Sequence, residues 1–291
     1  MRGIVDFSFS LKGRTACALA AFSLFALLAQ GADEAGTLRV LKVTDGITFR
    51  MGAVTAYRIV HPGMGAKRLT LNYSTSEPGH EFAQHVHDQS DDTFLVLQGQ
   101  MDVRQGDSRK PVRVGQAVFV PAGQIHGTIT TGAGTVSISF QCPPDLVLYT
   151  GARDSSRPGA APPKGVITPG AVKILDFGNR NGFFTHPGMG SKRGAVAHRK
   201  LRPGESFPAS VGKDGEQLLF VWKGSLTVHS KGARHLAGER EAVFLSGAQT
   251  LKVENQGPGE TDVIQVQAPP KMVPLETREI GFPVGSAAAR P

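Results

Sequence analysis

Several familiar signatures are missing from this chain. Beyond the first thirty or so residues no long stretch has the helical period of apolar residues, which excludes a mainly helical fold. There is no Gly-x-Ser-x-Gly elbow of the serine hydrolases, and no Walker spacing for nucleotide phosphates. The 291 residues contain only two cysteines, but they contain 36 glycines and 19 prolines. That composition is typical of many turns and short strands.

The first 31 residues have the pattern of a secretory signal peptide. A basic segment precedes an apolar run from Ala16 to Ala29, which is too short to span a bilayer comfortably. The small-x-small site Ala29-Gln30-Gly31 follows, so we predict cleavage near Gly31. The mature protein would be periplasmic or secreted, with no stable membrane anchor; a retained N-terminal anchor is the alternative. Cleavage would remove Cys17 and leave Cys142 without a disulfide partner, as a small, buried, inert residue.

The chain is basic, with 32 Lys and Arg against 24 Asp and Glu and a net charge of +8. The basic residues are scattered singly or in pairs such as Lys67-Arg68, whereas a nucleic-acid surface needs them clustered on one face. We therefore expect a solvated basic surface and no nucleic-acid partner.

An internal repeat organises the rest of the chain. The segment His61–Arg68, HPGMGAKR, returns as His186–Arg193, HPGMGSKR. At the same offset Phe82 matches Phe207, and further matches are spread over the whole span. The chain is therefore a tandem duplication. We interpret the repeated segment as a structural turn shared by both copies, because Gly and Pro punctuate turns.

Within each copy the pattern is that of β-strands. Short runs rich in β-branched and aromatic residues are closed by Gly, Pro, Asp or Asn. They are Thr93–Leu97, Ala117–Val120 and Thr135–Phe140 in the first copy, and Gln217–Trp222 and Val263–Val266 in the second. This pattern predicts an all-β fold of two tandem antiparallel barrels or jelly rolls. We place the N-terminal domain at residues 32–149, a Pro- and Gly-rich linker at 150–170, and the C-terminal domain at 171–291.

Three histidines and one aspartate in the first copy have the spacing of a metal site. His85 and His87 are two residues apart on a predicted strand, so both face into the barrel. Asp92 opens the next strand after a polar turn, and we expect His126 to come from a strand on the far side of the site. Imidazole with carboxylate suits Mn, Fe, Ni, Cu or Zn better than Mg or Ca. Because Asp is shorter than Glu, Asp92 could instead lie outside the ligand set, and Asp91 is the alternative carboxylate.

These residues resemble the two motifs of the cupin superfamily. The first motif is Gly, five residues, His-x-His, four residues, Glu, six residues, Gly; the second is Gly, five residues, Pro-x-Gly, two residues, His, three residues, Asn. The chain matches the first at Gly79, His85, His87, Asp92 and Gly99, with Asp in place of Glu, and the second at Gly115, Pro121, Gly123 and His126, with Thr130 in place of Asn. Because the second half of the chain repeats the first, the whole mature chain is similar to a bicupin, a protein of two tandem cupin domains.

The second copy lacks every one of these ligands. At the repeat offset, the four metal positions His85, His87, Asp92 and His126 are occupied by Ser210, Gly212, Gln217 and Leu251. We expect the C-terminal barrel to be metal-free and to pack against the first barrel in a structural role. A second small-molecule site without metal is the alternative.

The resemblance implies one divalent transition metal and a reaction on a small carboxylated or hydroxylated compound. Dioxygenase or decarboxylase chemistry is the favoured class, which would make the protein a metal-dependent oxidoreductase or decarboxylase. No catalytic proton carrier can be assigned; Tyr73, His80, Glu81 and Gln124 are candidates only because they are near the motif. The alternative is a non-catalytic envelope protein that binds a sugar, a small acid or the metal, since a fold alone does not decide function. A homodimer is compatible with either hypothesis.

Overall fold

The structure is a computed structural model, and it describes residues 36–178 and 180–270. The predicted signal peptide, residues 1–31, lies outside the described residues. So does the end of the predicted C-terminal domain, residues 271–291.

The described part of the chain is built almost entirely from short strands. In chain order they are β1 (Thr37–Leu41), β2 (Ile47–Met51), β3 (Val54–Val60), β4 (Leu71–Ser76), β5 (Glu81–His85), β6 (Asp91–Gln98), β7 (Gln100–Gln105), β8 (Ser108–Arg113), β9 (Gln116–Val120), β10 (His126–Thr130), β11 (Thr135–Cys142), β12 (Lys173–Asp176), β13 (Gly182–Thr185), β14 (Ala195–Leu201), β15 (Ser206–Val211), β16 (Glu216–Lys223), β17 (Leu226–Ser230), β18 (Ala233–Ala237), β19 (Ala242–Ser246), β20 (Gln249–Glu254) and β21 (Thr261–Ala268). Single 3-10 turns lie at Val43–Asp45, Pro62–Met64, Leu148–Thr150 and Pro187–Met189. Among the described residues, no helix has the length and apolar character needed to cross a membrane. The prediction of an all-β fold is confirmed.

Four antiparallel sheets make two barrels. The first barrel combines a seven-stranded sheet, β12-β9-β6-β11-β4-β3-β2, with a four-stranded sheet, β5-β10-β7-β8. The second combines a six-stranded sheet, β1-β19-β16-β21-β14-β13, with a four-stranded sheet, β15-β20-β17-β18. The two repeats therefore fold into two copies of one jelly-roll architecture.

The two repeats exchange their edge strands. Strand β1, from the first repeat, pairs with β19 of the second barrel, with Thr37 opposite Ser246. Strand β12, from the second repeat, pairs with β9 of the first barrel, with Lys173 opposite Phe119. The predicted ranges 32–149 and 171–291 therefore each need one strand reassigned. The exchange covers a sheet edge in each barrel that would otherwise expose unpaired backbone groups.

Side chains of β6 alternate between two different cores. Phe94 and Val96 point into the first barrel, where they pack with Val118 and other buried residues. Leu95 points the opposite way, into a core that it shares with Phe220 of the second barrel. Strand alternation thus lets one strand build both the barrel interior and the contact between barrels. The expected packing of the second barrel against the first is present.

The repeated HPGMG segment is the predicted structural turn, and it also joins the barrels. Each copy forms a 3-10 turn that ends on a glycine in the left-handed region, Gly65 at φ 98° and Gly190 at φ 103°, a conformation that favours glycine. Beyond the first turn, the backbone N–H groups of residues 67–69 donate to the Glu216 carboxylate at 2.6, 2.8 and 3.1 Å. Beyond the second turn, those of residues 192–193 donate to Asp91 Oδ2 at 2.9 and 3.0 Å. We call these two contacts the carboxylate clasps.

Candidate metal centre

Three histidines of the first barrel converge at one buried point. His85 ends strand β5, His87 lies two residues further on, and His126 begins strand β10. Their ring centroids are 4.4, 4.7 and 5.2 Å apart, and all three side chains are buried. One nitrogen from each ring lies within 4.8 Å of the others, an arrangement that could hold a metal ion.

The position of His126 differs from the sequence-based expectation. Its strand lies beside that of His85 in the same sheet, with the two residues as direct partners in the β5–β10 ladder. The expectation of a strand on the far side of the site is therefore wrong. Neighbouring antiparallel strands bring opposed side chains on one face close together, which explains the short distance between these two rings.

Hydrogen bonds on the outer side of each ring set its orientation. The Nδ1 atoms of His85 and His126 lie 2.8 and 3.1 Å from the carbonyl oxygens of Ala83 and Gln124. The Nδ1 atom of His87 lies 2.8 Å from Asp145 Oδ2. Each of these partners is an acceptor, so each Nδ1 carries a proton and each Nε2 is the ring atom directed at the centre. The Nε2 atoms of His85 and His87 lie 3.1 Å apart, within hydrogen-bond distance.

Asp92 lies against the same point. Its Oδ2 is 3.4 Å from His126 Nε2 and 3.6 Å from His87 Nε2. Asp92 Oδ1 and His126 Nε2 are buried and have no hydrogen-bond partner within the described residues. Buried polar atoms without partners are rare and call for an explanation such as an ion. Converging imidazole lone pairs and a buried carboxylate fit a divalent transition metal.

Two of the groups at the centre, His85 and Asp92, are in the protonation state that a cation needs. Burial lowers the pKa of His85 well below its ordinary value, and His126 and His87 lower it further. Burial would raise the pKa of Asp92, but the imidazoles of His126 and His87, 3.4 and 3.6 Å from its Oδ2, outweigh this and hold it well below the usual range. Burial also works to lower the pKa of His87, but the carboxylates of Asp145 and Asp92 outweigh it and raise this pKa to about 8. His85 and Asp92 are thus deprotonated at neutral pH, as metal ligands must be, whereas a metal ion would displace a proton from His87.

The alternative carboxylate, Asp91, is not part of the centre. Asp91 and Asp92 are neighbours on β6, so their side chains point to opposite faces of the sheet. Both oxygens of Asp91 are used in a carboxylate clasp, including a contact of 3.0 Å from Arg193 Nη1 to Oδ1. The interpretation of Asp91 as an alternative ligand is therefore wrong.

Sequence reasoning missed Asp145 and Arg153. Besides His87, Asp145 Oδ2 has Arg153 Nε at 3.4 Å, while its Oδ1 accepts the backbone N–H of Val147 at 2.9 Å. Arg153 also donates to Asp88 Oδ2 at 2.7 Å. Arg153 belongs to the predicted linker, so this segment takes part in fixing a histidine of the centre. No motif spacing could have found Asp145, because it comes from a loop 58 residues from His87.

A cavity opens beside the centre inside the first barrel. It has a volume of about 600 Å³, counting space open to solvent, and His85, Asp92 and His126 form part of its lining. None of the four proton carriers suggested by proximity, Tyr73, His80, Glu81 and Gln124, is among its lining residues. Tyr73 contacts Arg240 of the second barrel, His80 the backbone of Glu77, Glu81 the Arg104 guanidinium and Gln124 the Thr168 hydroxyl.

The second barrel has no comparable cluster. Across residues 36–178 and 180–270, the three histidines of the first barrel form the only grouping suited to a metal. At the position of Asp92, Gln217 is buried, and neither of its amide atoms has a hydrogen-bond partner in the part of the chain that the structure describes. Cys142 is buried and free, as predicted, and burial raises the pKa of its thiol.

A known family matches the region that holds all four predicted ligands. The Cupin_2 family, described as a cupin domain, matches residues 72–141. This part of the chain is therefore similar to a cupin domain. The resemblance seen in the sequence motifs is confirmed. Within the curated proteins, this chain is 26% identical over 110 residues to the tetracenomycin polyketide synthase protein TcmJ of Streptomyces glaucescens, covering 38% of this chain and 74% of that one.

Solved structures share the architecture of this chain. Oxalate decarboxylase of Bacillus subtilis, studied for its Mn(II) centres, has a TM-score of 0.60 at 11% identity, covering 94% of this chain and 88% of that one. The bacterial pirin YhhW of Escherichia coli, in complex with nickel(II), has a TM-score of 0.58 at 15% identity, covering 81% and 100%. At such identities the likeness shows the fold alone, and it confirms two tandem cupin-type barrels.

Proposed function

We propose that this protein is an exported metalloenzyme of the dioxygenase or decarboxylase type. It acts on a small carboxylated or hydroxylated compound in the cavity of the first barrel. One observation carries the proposal: three buried imidazoles turn their Nε2 atoms, and Asp92 its carboxylate, toward one point beside that cavity. Within the described residues, Asp92 Oδ1 and His126 Nε2 have no hydrogen-bond partner, which is costly for buried polar atoms without a cation.

The four residues His85, His87, Asp92 and His126 would hold a divalent transition metal: Mn, Fe, Zn, Cu or Ni. Such an ion supplies Lewis acidity, and a redox-active one also supplies electron transfer. The chain's own contribution is positioning. Asp145 fixes the His87 ring, and the Ala83 and Gln124 carbonyls fix the other two. Burial of the set excludes bulk water and strengthens its interaction with charge.

The proposal of export depends on the first 31 residues. A basic segment, an apolar run and a small-x-small site favour a cleaved secretory signal. Cleavage near Gly31 would leave the described barrels intact, because the first described strand begins at Thr37. The partner in either compartment, periplasm or medium, is a small molecule rather than nucleic acid.

Turnover separates an enzyme from a binding protein. The full chain loaded with Mn(II) or Fe(II) is incubated with small carboxylates and phenols, and O₂ uptake and CO₂ release are recorded. We expect turnover with at least one compound, and its loss in the His126→Ala variant. Tight binding of a compound without O₂ uptake or CO₂ release by the metal-loaded protein would contradict the enzyme and favour the envelope binding protein.

A further inference from the structure

The cavity of the first barrel has one polar wall. Strands β4 and β11 are neighbours, and Asn72 lies opposite Ser139 and Ser74 opposite Ser137 in their ladder. All four residues line the cavity, since alternate residues of a strand share one face. We call these four residues the polar ladder.

The polar ladder contains an acceptor that no described residue satisfies. Asn72 is 2% exposed, and its Nδ2 donates to Ser139 Oγ at 3.2 Å. Its Oδ1 is buried and has no hydrogen-bond partner within the described residues. An unsatisfied buried acceptor is costly, so this atom points to a ligand that brings a hydrogen-bond donor into the cavity.

The cavity also has apolar and aromatic lining residues. Phe49, Phe82, Phe94 and Leu148 line the cavity. The Phe94 ring is nearly parallel to that of His126, at an interplanar angle of 14° and a centroid distance of 6.5 Å. Flat faces of this kind favour a planar, ring-containing ligand over a compact acid, because aromatic rings pack well by stacked or edge contacts.

The charge of the lining argues against a dicarboxylate. Among the described residues that line the cavity there is no Lys, Arg or Glu, and Asp92 is the sole carboxylate. A divalent ion, with Asp92 ionised and the imidazoles neutral, would leave a single net positive charge. That charge matches a neutral or singly ionised ligand, whereas a dianion would lie buried with an excess negative charge.

The second barrel shows that the polar ladder belongs to the metal-holding barrel. At the repeat offset, Asn72 is replaced by Ala197 and Ser74 by Arg199. The guanidinium of Arg199 donates to Gln265 Oε1 at 2.9 Å. An arginine therefore occupies the second barrel at a ladder position, while the first barrel keeps that position small, uncharged and hydroxylated.

We propose that the substrate class of the first barrel is a hydroxylated aromatic compound that carries a second hydroxyl group and is neutral or singly ionised. One oxygen would face the histidine centre, a second hydroxyl would donate to Asn72 Oδ1, and the ring would pack against Phe82 and Phe94. This inference rests on the proposed function, because it requires a metal at the centre. It narrows the proposed substrate to the hydroxylated compounds and excludes small dicarboxylates.

The test compares catechol, phenol and oxalate as ligands of the full chain loaded with Zn(II), which is redox-inert. Binding is measured by calorimetry, and the metal content is determined before and after each titration. We expect catechol to bind about tenfold more tightly than phenol, the effect of one additional hydrogen bond, and more tightly than oxalate. In Asn72→Leu the advantage of catechol over phenol should disappear while the metal content stays unchanged.

Two further variants separate the outcomes. Thr75→Ala changes an exposed residue of the same strand and should keep the preference for catechol over phenol. If Asn72→Leu fails to fold, Ser137→Ala takes its place as the ladder variant and should reduce this preference. A chain that holds zinc but prefers oxalate, or whose catechol preference survives both ladder variants, would overturn this inference alone. A chain that cannot be loaded with zinc would overturn the proposed function and this inference together.

Discussion

At the scale of single residues, the centre depends on which nitrogen of each imidazole carries the proton. The Asp145 carboxylate places the proton of His87 on Nδ1. Asp145 is itself positioned by an ion pair with Arg153 and by the backbone N–H of Val147. A carboxylate behind a histidine makes the ring a better ligand and fixes its orientation.

We predict that Asp145→Asn weakens metal binding by about tenfold. The amide keeps the volume of the carboxylate but not its charge, so His87 becomes less basic. The metal dissociation constant is measured by competition with a chromophoric chelator. Asp88→Asn is the matched control, because the exposed Asp88 carboxylate also contacts Arg153, whereas the carboxylates at the His87 ring are those of Asp145 and Asp92. Equal affinities for wild type and Asp145→Asn would contradict this role.

A second buried pair makes stability depend on pH. His198 Nε2 lies 2.9 Å from Asp262 Oδ1 in the second barrel. Burial works to raise the pKa of Asp262, but the His198 hydrogen bond outweighs it, and the pKa falls below its ordinary value. A depressed carboxyl pKa adds stability above the unfolded-state value, and this stability is lost as the pH falls through the folded-state value.

The free energy of unfolding should therefore decrease as the pH falls below about 4. The decrease should be smaller in Asp262→Asn, which cannot titrate at this position. Urea unfolding from pH 6 down to pH 3 measures both. If the free energy of unfolding depends on pH equally in the wild type and in Asp262→Asn, Asp262 does not contribute to the pH dependence of stability.

Most residues of the centre could be predicted from the sequence. His85, His87, Asp92 and His126 could be predicted because their spacings follow from strand alternation and from two motifs. Asp145 could not, since a loop residue has no periodic relation to the ring it supports. Asp91 and Asp92 are chemically identical neighbours, and the tertiary fold separates them by directing one to the centre and the other to a carboxylate clasp.

At the scale of strands and turns, the two repeats are joined because each contributes an edge strand to the barrel of the other. Strands β1 and β12 each complete a sheet of the opposite barrel. The carboxylate clasps add a pseudo-symmetric pair of contacts, with Asp91 and Glu216 at equivalent positions of the repeat.

We predict that Glu216→Gln destabilises the protein by about 2–3 kcal/mol. The carboxylate accepts three backbone N–H groups, whereas an amide offers one oxygen and turns its NH₂ toward a donor. Urea unfolding monitored through Trp222 fluorescence gives the change. Asp214→Asn, an exposed carboxylate two residues away, should change stability by less than about 0.5 kcal/mol. Equal stability of Glu216→Gln and wild type would contradict the clasp.

The strands themselves could be predicted, but their exchange could not. Runs such as Thr93–Leu97 and Val263–Val266 lie within β6 and β21 because β-branched and aromatic residues fit a pleated, half-buried surface. The pairing of Thr37 with Ser246 joins distant parts of the chain, and neither segment differs locally from an ordinary edge strand. The HPGMG turn was predictable from Gly and Pro, but its partner carboxylate was not.

At the scale of the whole molecule, duplication produced two barrels with different roles. The first keeps a buried histidine centre and a cavity; the second has Leu251 in place of His126 and a filled interior that includes Leu219 and Val253. The two barrels share a hydrophobic core, so a structural role of the second barrel in supporting the first stays our prediction. Export stays a prediction, since residues 1–31 lie outside the described residues.

Metal content is the measurement that tests the central claim most directly. The mature chain is loaded with Mn(II) or Zn(II), dialysed and analysed by mass spectrometry beside His126→Ala and His235→Ala. We predict one metal ion per chain in wild type and in His235→Ala, whose histidine lies in the second barrel, and almost none in His126→Ala. No bound metal in the wild type, or the same content in His126→Ala, would contradict the account.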